Sequence, residues 1–299
     1  MALADLLKKV HGPDKLSPSL DLFIHRRDAD YREPGWHPSS FCGVCVRRLV
    51  LERLLGNAIK SKKTDPKKQR IFDVGKALHR WYQEEYFGKM GILWGMWKCS
   101  VCGYVSWGFQ PKESCDCVKR ISQMSKFPPM KMVWEYKEVP VRGNLPGFEE
   151  RVVGHGDGLV FLKNKWYLLE LKTINSWGFG KLQGPMHSHF LQSQIYGELI
   201  TQGMVPVPVG ITIPRPSGII VFYIDKNTSS EKEYLVELDS KIGIQELSRP
   251  LRVEQAMASR LFPEREEACV NALKNPAKSC PVGSYCFGSK TWDELEHVV

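Results

Sequence analysis

The chain has 299 residues, 42% hydrophobic and 25% charged, proportions that exclude a mainly disordered chain, a collagen-like repeat and a bare disulfide scaffold. No run of 18 or more apolar residues occurs, so no membrane-spanning helix is expected, and the first residues, interrupted by Asp5, do not read as a secretion signal. Forty-two basic against 33 acidic residues leave a formal charge of +9, which suits a polyanionic partner such as nucleic acid and equally a generic basic surface.

In chain order, a short helix is predicted at 2–10, followed by an irregular approach containing Pro13, Pro18, Pro34 and Pro38. Helical character begins near Cys45 and runs to Leu55, with Gly56 as its cap. Lys60 to Arg70 carries six basic residues with Asp65 and Pro66, and reads as a solvated loop able to touch phosphate. A second helix is predicted at 71–87. Residues 95–130 have the character of an insertion, with four cysteines, no sustained periodicity and Pro128-Pro129 at the exit. Strands are predicted at 132–141, 151–155, 157–162 and 165–173, then a helix at 188–202 ending at Gly203. Further strands are predicted at 207–213 and 218–225, with a short one at 233–238. From 240 the chain reads as helical, then as loop around its last cysteines. The result is a mixed α/β core (131–238) with an N-terminal helical region (1–94), the insertion (95–130) and a C-terminal helical, cysteine-rich region (239–299).

The nine cysteines fall in groups: Cys42 and Cys45; Cys99, Cys102, Cys115 and Cys117; and Cys269, Cys280 and Cys286. Without an export signal, such grouping points to metal ligation rather than to disulfides.

The chemistry concentrates in Gly154-His-Gly-Asp157 and Trp166-Tyr-Leu-Leu-Glu170-Leu-Lys172. Alternation along a strand places Glu170 and Lys172 on one face. If Lys163-Asn164 forms a two-residue hairpin loop, Leu162 pairs with Lys165 and Asp157 lies opposite Glu170. Opposed carboxylates repel, and a hard divalent cation relieves that repulsion. The alternative is a surface strand with an ordinary salt-bridge network, but the apolar surroundings of Glu170 are those of a central strand. At helical spacing Phe72, Gly75, His79, Tyr82 and Tyr86 share a face, and so do Gln192 and Tyr196. These patterns also fit a core histidine and a simple polar helix face. Gln194 competes with Gln192 but has the wrong spacing to Tyr196.

Taken together, Gly75-x-x-x-His79, Asp157, Glu170-x-Lys172 and Gln192-x-x-x-Tyr196 resemble the RecB-like branch of the PD-(D/E)XK nuclease superfamily. That branch includes AddB-type and CRISPR-associated exonucleases and their phage relatives. The resemblance implies a restriction-endonuclease-like core. It also implies that His79, Asp157, Glu170 and the Leu171 carbonyl hold Mg²⁺ or Mn²⁺, with Lys172, Gln192 and Tyr196 completing the catalytic set. The branch often carries a 4Fe–4S cluster, with one cysteine before the core and three after it. Cys45-Val-Arg47 and Cys280-x-x-x-x-x-Cys286 match that pattern, and Cys269 completes the set across a longer gap than is usual. A zinc site of Cys42, Cys45, Cys280 and Cys286 is the alternative. The insertion's Cys99-Ser-Val-Cys102 and Cys115-Asp-Cys117 resemble a zinc-ribbon-like four-thiolate site, the alternative being four unligated thiols. Trp94, Trp97, Tyr104 and Trp107 are either a DNA- or partner-facing surface of the insertion or its own small core.

The activity expected is therefore Mg²⁺- or Mn²⁺-dependent hydrolysis of DNA phosphodiester bonds, from single-stranded or duplex ends. The setting expected is cytoplasmic (the host cell's, for a phage relative), with no membrane association and a protein partner in recombination, replication or CRISPR adaptation. The alternative is a non-catalytic DNA-binding or adaptor protein that keeps the fold. No residue reads a 2′-hydroxyl, so RNA is equally open as substrate.

Overall fold

The computed structural model describes residues 24, 33–56, 65–124, 134–266, 269, 277–288 and 291–296, with side chains at 121–124 and 277 left aside. The helix expected at 2–10, most of the basic stretch before Asp65 and Pro128-Pro129 lie outside these residues. The chain enters through a single turn, α1 (Pro38–Phe41), and then α2 (Val46–Leu55), which ends as expected at Gly56 in a positive-φ conformation. Helix α3 (Pro66–Trp81) starts earlier than predicted. Asp65 caps it by accepting from the Lys67 amide, and Pro66 takes the first helical position, where a missing N–H costs nothing. The end of the supposed basic loop is therefore helix. The element continues as a π-helical stretch, Tyr82–Gly88, which accounts for its predicted reach to 87.

Strands β1 (Leu93–Cys99) and β2 (Val105–Phe109) precede helix α4 (Asp116–Met124), followed by β3 (Trp134–Lys137), β4 (Val139–Asn144), β5 (Arg151–Gly156), β6 (Gly158–Leu162) and β7 (Lys165–Ile174). Helices α5 (Ser176–Lys181) and α6 (His187–Thr201) lead to β8 (Ile219–Asp225) and β9 (Glu231–Val236). The long helix α7 (Ser240–Ser259) and the short helices α8 (Gly283–Phe287) and α9 (Trp292–Glu296) follow. The main sheet has seven strands in the order β2-β1-β6-β7-β8-β9, with β3 also paired to β1, while β4 and β5 form a separate ribbon. All neighbours in the main sheet run antiparallel except β7 and β8, which are parallel and joined through α5 and α6. Because β1 pairs with β6 through Leu93–Val160 and Trp94–Leu159, the cysteine segment grows out of a core strand that spans the boundary expected at 94/95.

The strand expected at 207–213 does not form. Pro206, Pro208 and Pro214 remove ladder donors, and Val209 stands fully in solvent. The β6–β7 hairpin does form as expected. Lys163 and Asn164 both take positive φ (48° and 62°), the signature of a type I′ turn, and Leu162 pairs with Lys165. The register runs back to Gly158 opposite Leu169, so Asp157 is the next residue along, facing Glu170. Gly158 itself has φ +146°, and a Cβ there would lie 2.5 Å from both Leu93 and the Tyr136 hydroxyl. Only glycine lets the chain turn from Asp157 into β6 at this point. Strand β7 is the buried spine of the sheet, with Leu168, Leu169, Glu170 and Leu171 all inaccessible.

Candidate active site

Four elements converge on the middle of β7. Asp157, in the bend between β5 and β6, accepts a 2.6 Å hydrogen bond from the Leu171 amide through Oδ2. Its other oxygen, Oδ1, lies 3.7 Å from His79 Nδ1, close enough for attraction though beyond hydrogen-bonding distance. Glu170, 1% exposed, lies 2.5 Å from the Lys172 ammonium, but the contact lacks hydrogen-bond geometry and neither carboxylate oxygen has a hydrogen-bond partner among the described residues. Lys172 Nζ donates to Gln192 Oε1 at 3.2 Å, and Gln192 Nε2 donates to the Tyr196 hydroxyl at 3.2 Å. The expected one-turn pairing of Gln192 with Tyr196 is thus present and ends on Lys172. Gln194 faces away, bonded to the Glu237 carbonyl and the Asp239 amide, where it ties α6 to the start of α7.

Glycines explain how these side chains meet. A Cβ on Gly75 would sit 2.9 Å from the Thr173 hydroxyl and 3.3 Å from Lys226 Nζ, so glycine lets α3 lie on the end of β7 and delivers His79 one turn later. A Cβ on Gly154 would reach 2.7 Å from the Tyr196 ring. The spacings Gly-x-x-x-His and Gly-x-x-Asp therefore have a packing reason. The shared face expected on α3 is only partly inward, since Tyr82 is buried while Phe72 and Tyr86 are exposed.

Two participants have no motif to announce them. Gln83, buried in the π-helical stretch, donates to the Asp157 carbonyl at 3.0 Å. Glu138, half-buried in the break between β3 and β4, brings a carboxylate oxygen within 4.8 Å of ligand atoms of both His79 and Asp157. His79, Glu138 and Asp157 together form a group able to hold a metal ion, and Glu170 lies outside that radius, drawn to Lys172.

The charges are strongly coupled. Burial raises Glu170 to about 7, against the pull of Lys172 and with the push of Asp157. Burial and then Asp157 raise Glu138 to about 7 as well. For Asp157, burial is outweighed by His79, Lys172 and the Leu171 amide, which hold it below the ordinary carboxylate range. Burial would lower Lys172, but Glu170 and Asp157 raise it above its ordinary value, so it stays an ammonium. His189, at the start of α6, is pushed down to about 4 by burial and by Lys172, and its neutral ring faces the Tyr223 hydroxyl at 2.9 Å.

A raised carboxyl pKa has a definite consequence for stability. Between about 4.5 and 7 the folded chain keeps a proton on Glu170 that the unfolded chain has released, so the contribution of this group falls as pH rises through that window. Comparison with Glu170→Gln isolates it from His189, whose lowered value acts in the opposite direction. In EDTA, the melting temperature of Glu170→Gln relative to wild type should climb from pH 5 to pH 8. A constant difference would mean that Glu170 is ionised throughout.

Both cysteine groups assemble. Cys99, Cys102, Cys115 and Cys117 bring their sulfurs within 4.8 Å of one another, with Cys99–Cys117 at 3.6 Å and Cys102–Cys115 at 3.7 Å. Four thiolates about 2.3 Å from one tetrahedral ion would be about 3.8 Å apart, so this group can bind a metal. Burial opposes ionisation of Cys99, but the Cys102 and Val101 amides outweigh it and lower the thiol to about 7. Of the aromatics around the insertion, Trp97 is fully buried against Tyr136, Trp94 packs on Trp107, and only Tyr104 is strongly exposed.

Cys45, Cys269, Cys280 and Cys286 line a single pocket together with Arg48 and Arg265. They are not among the sets whose sulfurs all lie within 4.8 Å of one another, so the opening is wider than one zinc ion requires. Cys42 does not line this pocket. It is buried, directs its thiol to the Ser188 carbonyl at 3.5 Å, and is raised to about 11 by burial and by Glu246. That removes the zinc set built on Cys42. Arg47 donates to the Pro263 carbonyl and Arg265 to the Cys286 carbonyl, pinning the C-terminal segment to α2 around the four sulfurs.

No protein-family model and no curated protein matches the chain. Among solved structures that resemble it is the crystal structure of SSO0001, at 15% identity over 93% of this chain and 99% of that one, with a TM-score of 0.41. That likeness is too loose to carry anything over. Among the described residues no helix is long and apolar enough to cross a membrane.

Proposed function

We propose that this chain is a divalent-metal-dependent nuclease of the PD-(D/E)XK type, with a restriction-endonuclease-like core and DNA as substrate. The observation that carries the reading is Glu170, a fully buried carboxylate with no hydrogen-bond donor among the described residues, facing Asp157 and beside an ammonium. Such a group costs several kcal/mol on the order of magnitude expected for buried ions, unless a cation completes its surroundings. The grouped donors are carboxylate oxygens of Asp157 and Glu138 and a His79 nitrogen, and Glu170, facing Asp157, would join them by turning from Lys172 toward the ion; these donors suit Mg²⁺ or Mn²⁺.

A cation held there would polarise the scissile phosphate and lower the pKa of an attacking water. Lys172 remains protonated and places its charge where negative charge develops on the phosphate. Gln192, held by Tyr196, fixes the direction of the Lys172 side chain. Gln83 and the Leu171 amide hold the backbone and side chain of Asp157, so its free oxygen keeps a constant aim. Water adds to phosphorus, the P–O bond to the departing sugar oxygen breaks, and the proton released by water balances the one that oxygen takes up.

The same proposal assigns a structural 4Fe–4S cluster to Cys45, Cys269, Cys280 and Cys286, and Zn²⁺ to Cys99, Cys102, Cys115 and Cys117. End-labelled single- and double-stranded DNA incubated with Mg²⁺, Mn²⁺ or EDTA tests the activity. Cleavage in a metal-containing lane and none in EDTA is the expected result. No cleavage in either metal, with salt-sensitive DNA binding retained, would contradict it and favour an adaptor.

A further inference from the structure

The elements at the end of β7 that follows the candidate catalytic residues carry two exposed aromatic side chains. Trp177, five residues beyond Lys172, is 73% exposed on the short helix α5, and Phe72, on the helix that carries His79, is 55% exposed. Both belong to elements tied to one place. The Lys226 amide bonds the Ile174 carbonyl, Lys226 Nζ bonds the Ile71 carbonyl, and Ser176 bonds Asp225. The ends of β7 and β8, the start of α5 and the first half of α3 are thereby fastened together. Phe72 lies two turns before His79 on the same helix, about 10 Å along its axis. Trp177 can be no more than about 18 Å from Lys172 along the chain.

The acidic groups near this end, Asp225 and Asp73, are engaged by Ser176 and Thr228 and by Gln69. Along the chain no acidic residue occurs between Glu170 and Glu198, whereas Lys172 and Lys181 do. Lys181 lays its ammonium 3.5 Å from the centre of the Trp177 ring, which sets a cation beside the exposed indole. Lys67 and Lys68 stand exposed in the first turn of α3. Aromatic faces beside cations are the two ingredients of a single-strand track: bases stack on the rings and phosphates meet the ammonium groups. A duplex keeps its bases stacked inside and offers rings of this kind nothing to hold.

We propose that Trp177 and Phe72 form a stacking platform that guides single-stranded DNA to the active site. The assignment of DNA rests on the nuclease reading, and the platform gives that reading a strand preference. Its test is binding in EDTA, where no hydrolysis occurs, measured by fluorescence anisotropy with a labelled 12-nucleotide oligo(dT) and with a blunt duplex of the same length. Stacking of one base is worth about 1–3 kcal/mol, so Trp177→Ala should weaken oligo(dT) binding at least about five-fold and duplex binding less than about two-fold. Trp177→Phe should stay within about two-fold of wild type, and Phe72→Ala should follow Trp177→Ala. Both side chains are largely in solvent, so melting temperatures should be unchanged. Oligo(dT) affinity unaffected by Trp177→Ala, equal losses for oligo(dT) and duplex, or no oligonucleotide binding by wild type would each overturn the platform. Trp177-dependent binding by a chain that cleaves nothing in Mg²⁺ or Mn²⁺ would support the platform and overturn the nuclease.

Discussion

Lys172→Ala should lower the single-turnover rate of DNA cleavage by about 10²–10³-fold or more, while the far-ultraviolet circular dichroism stays that of wild type. The loss is large because Lys172 puts an ammonium in contact with the Glu170 carboxylate and is held there by Gln192. The fold tolerates the change for a specific reason. Removing one partner of a buried ion pair normally strands a charge, but Glu170 already sits at about 7 through burial, and losing Lys172 lets it take a proton and become neutral. Gln192→Ala, which frees the ammonium without removing it, should have a smaller effect. Cleavage by Lys172→Ala at the wild-type rate would remove this residue from the mechanism.

Cys280→Ser should abolish the visible absorption of anaerobically purified protein and destabilise the chain severely. The pocket joins Cys45, at the start of α2, to three cysteines more than 200 residues later. Closing a loop of that size removes unfolded-chain entropy worth on the order of 5 kcal/mol by the cross-link argument, comparable to the whole stability of many domains. Cys42→Ser, one loop away and outside the pocket, should keep the colour. A colourless wild-type protein with four free thiols at these positions would contradict the cluster assignment.

The site was legible where chemistry follows short-range spacing. The hairpin turn Lys163-Asn164 set the register that opposes Asp157 and Glu170, and a four-residue helical step joined Gln192 to Tyr196. Glu138 and Gln83 were not legible, because each reaches the site through tertiary packing: Glu138 from the break between two strands of different sheets, and Gln83 from a π-helical stretch whose phase no regular helical wheel reproduces. Pro66 misled the reading of 60–70, since proline breaks a helix interior but opens a helix well. The valines at 205, 207 and 209 had the alternation of a strand, yet the prolines between them remove alternate donors, and the Val207 amide turns back to the Val205 carbonyl instead of pairing with a strand. Segment 95–130 looked independent because its cysteines dominate its composition, while β1 beneath them belongs to the main sheet.

Everything proposed for the reaction depends on a cation being held between these carboxylates, and titration of the purified protein with Mn²⁺, followed by electron paramagnetic resonance of the free ion, measures that directly. Wild type should bind Mn²⁺ at a site weakened at least about ten-fold in Asp157→Asn and in Glu170→Gln and unaffected by Trp177→Ala. Equal Mn²⁺ affinity in wild type and both carboxylate variants would contradict the account.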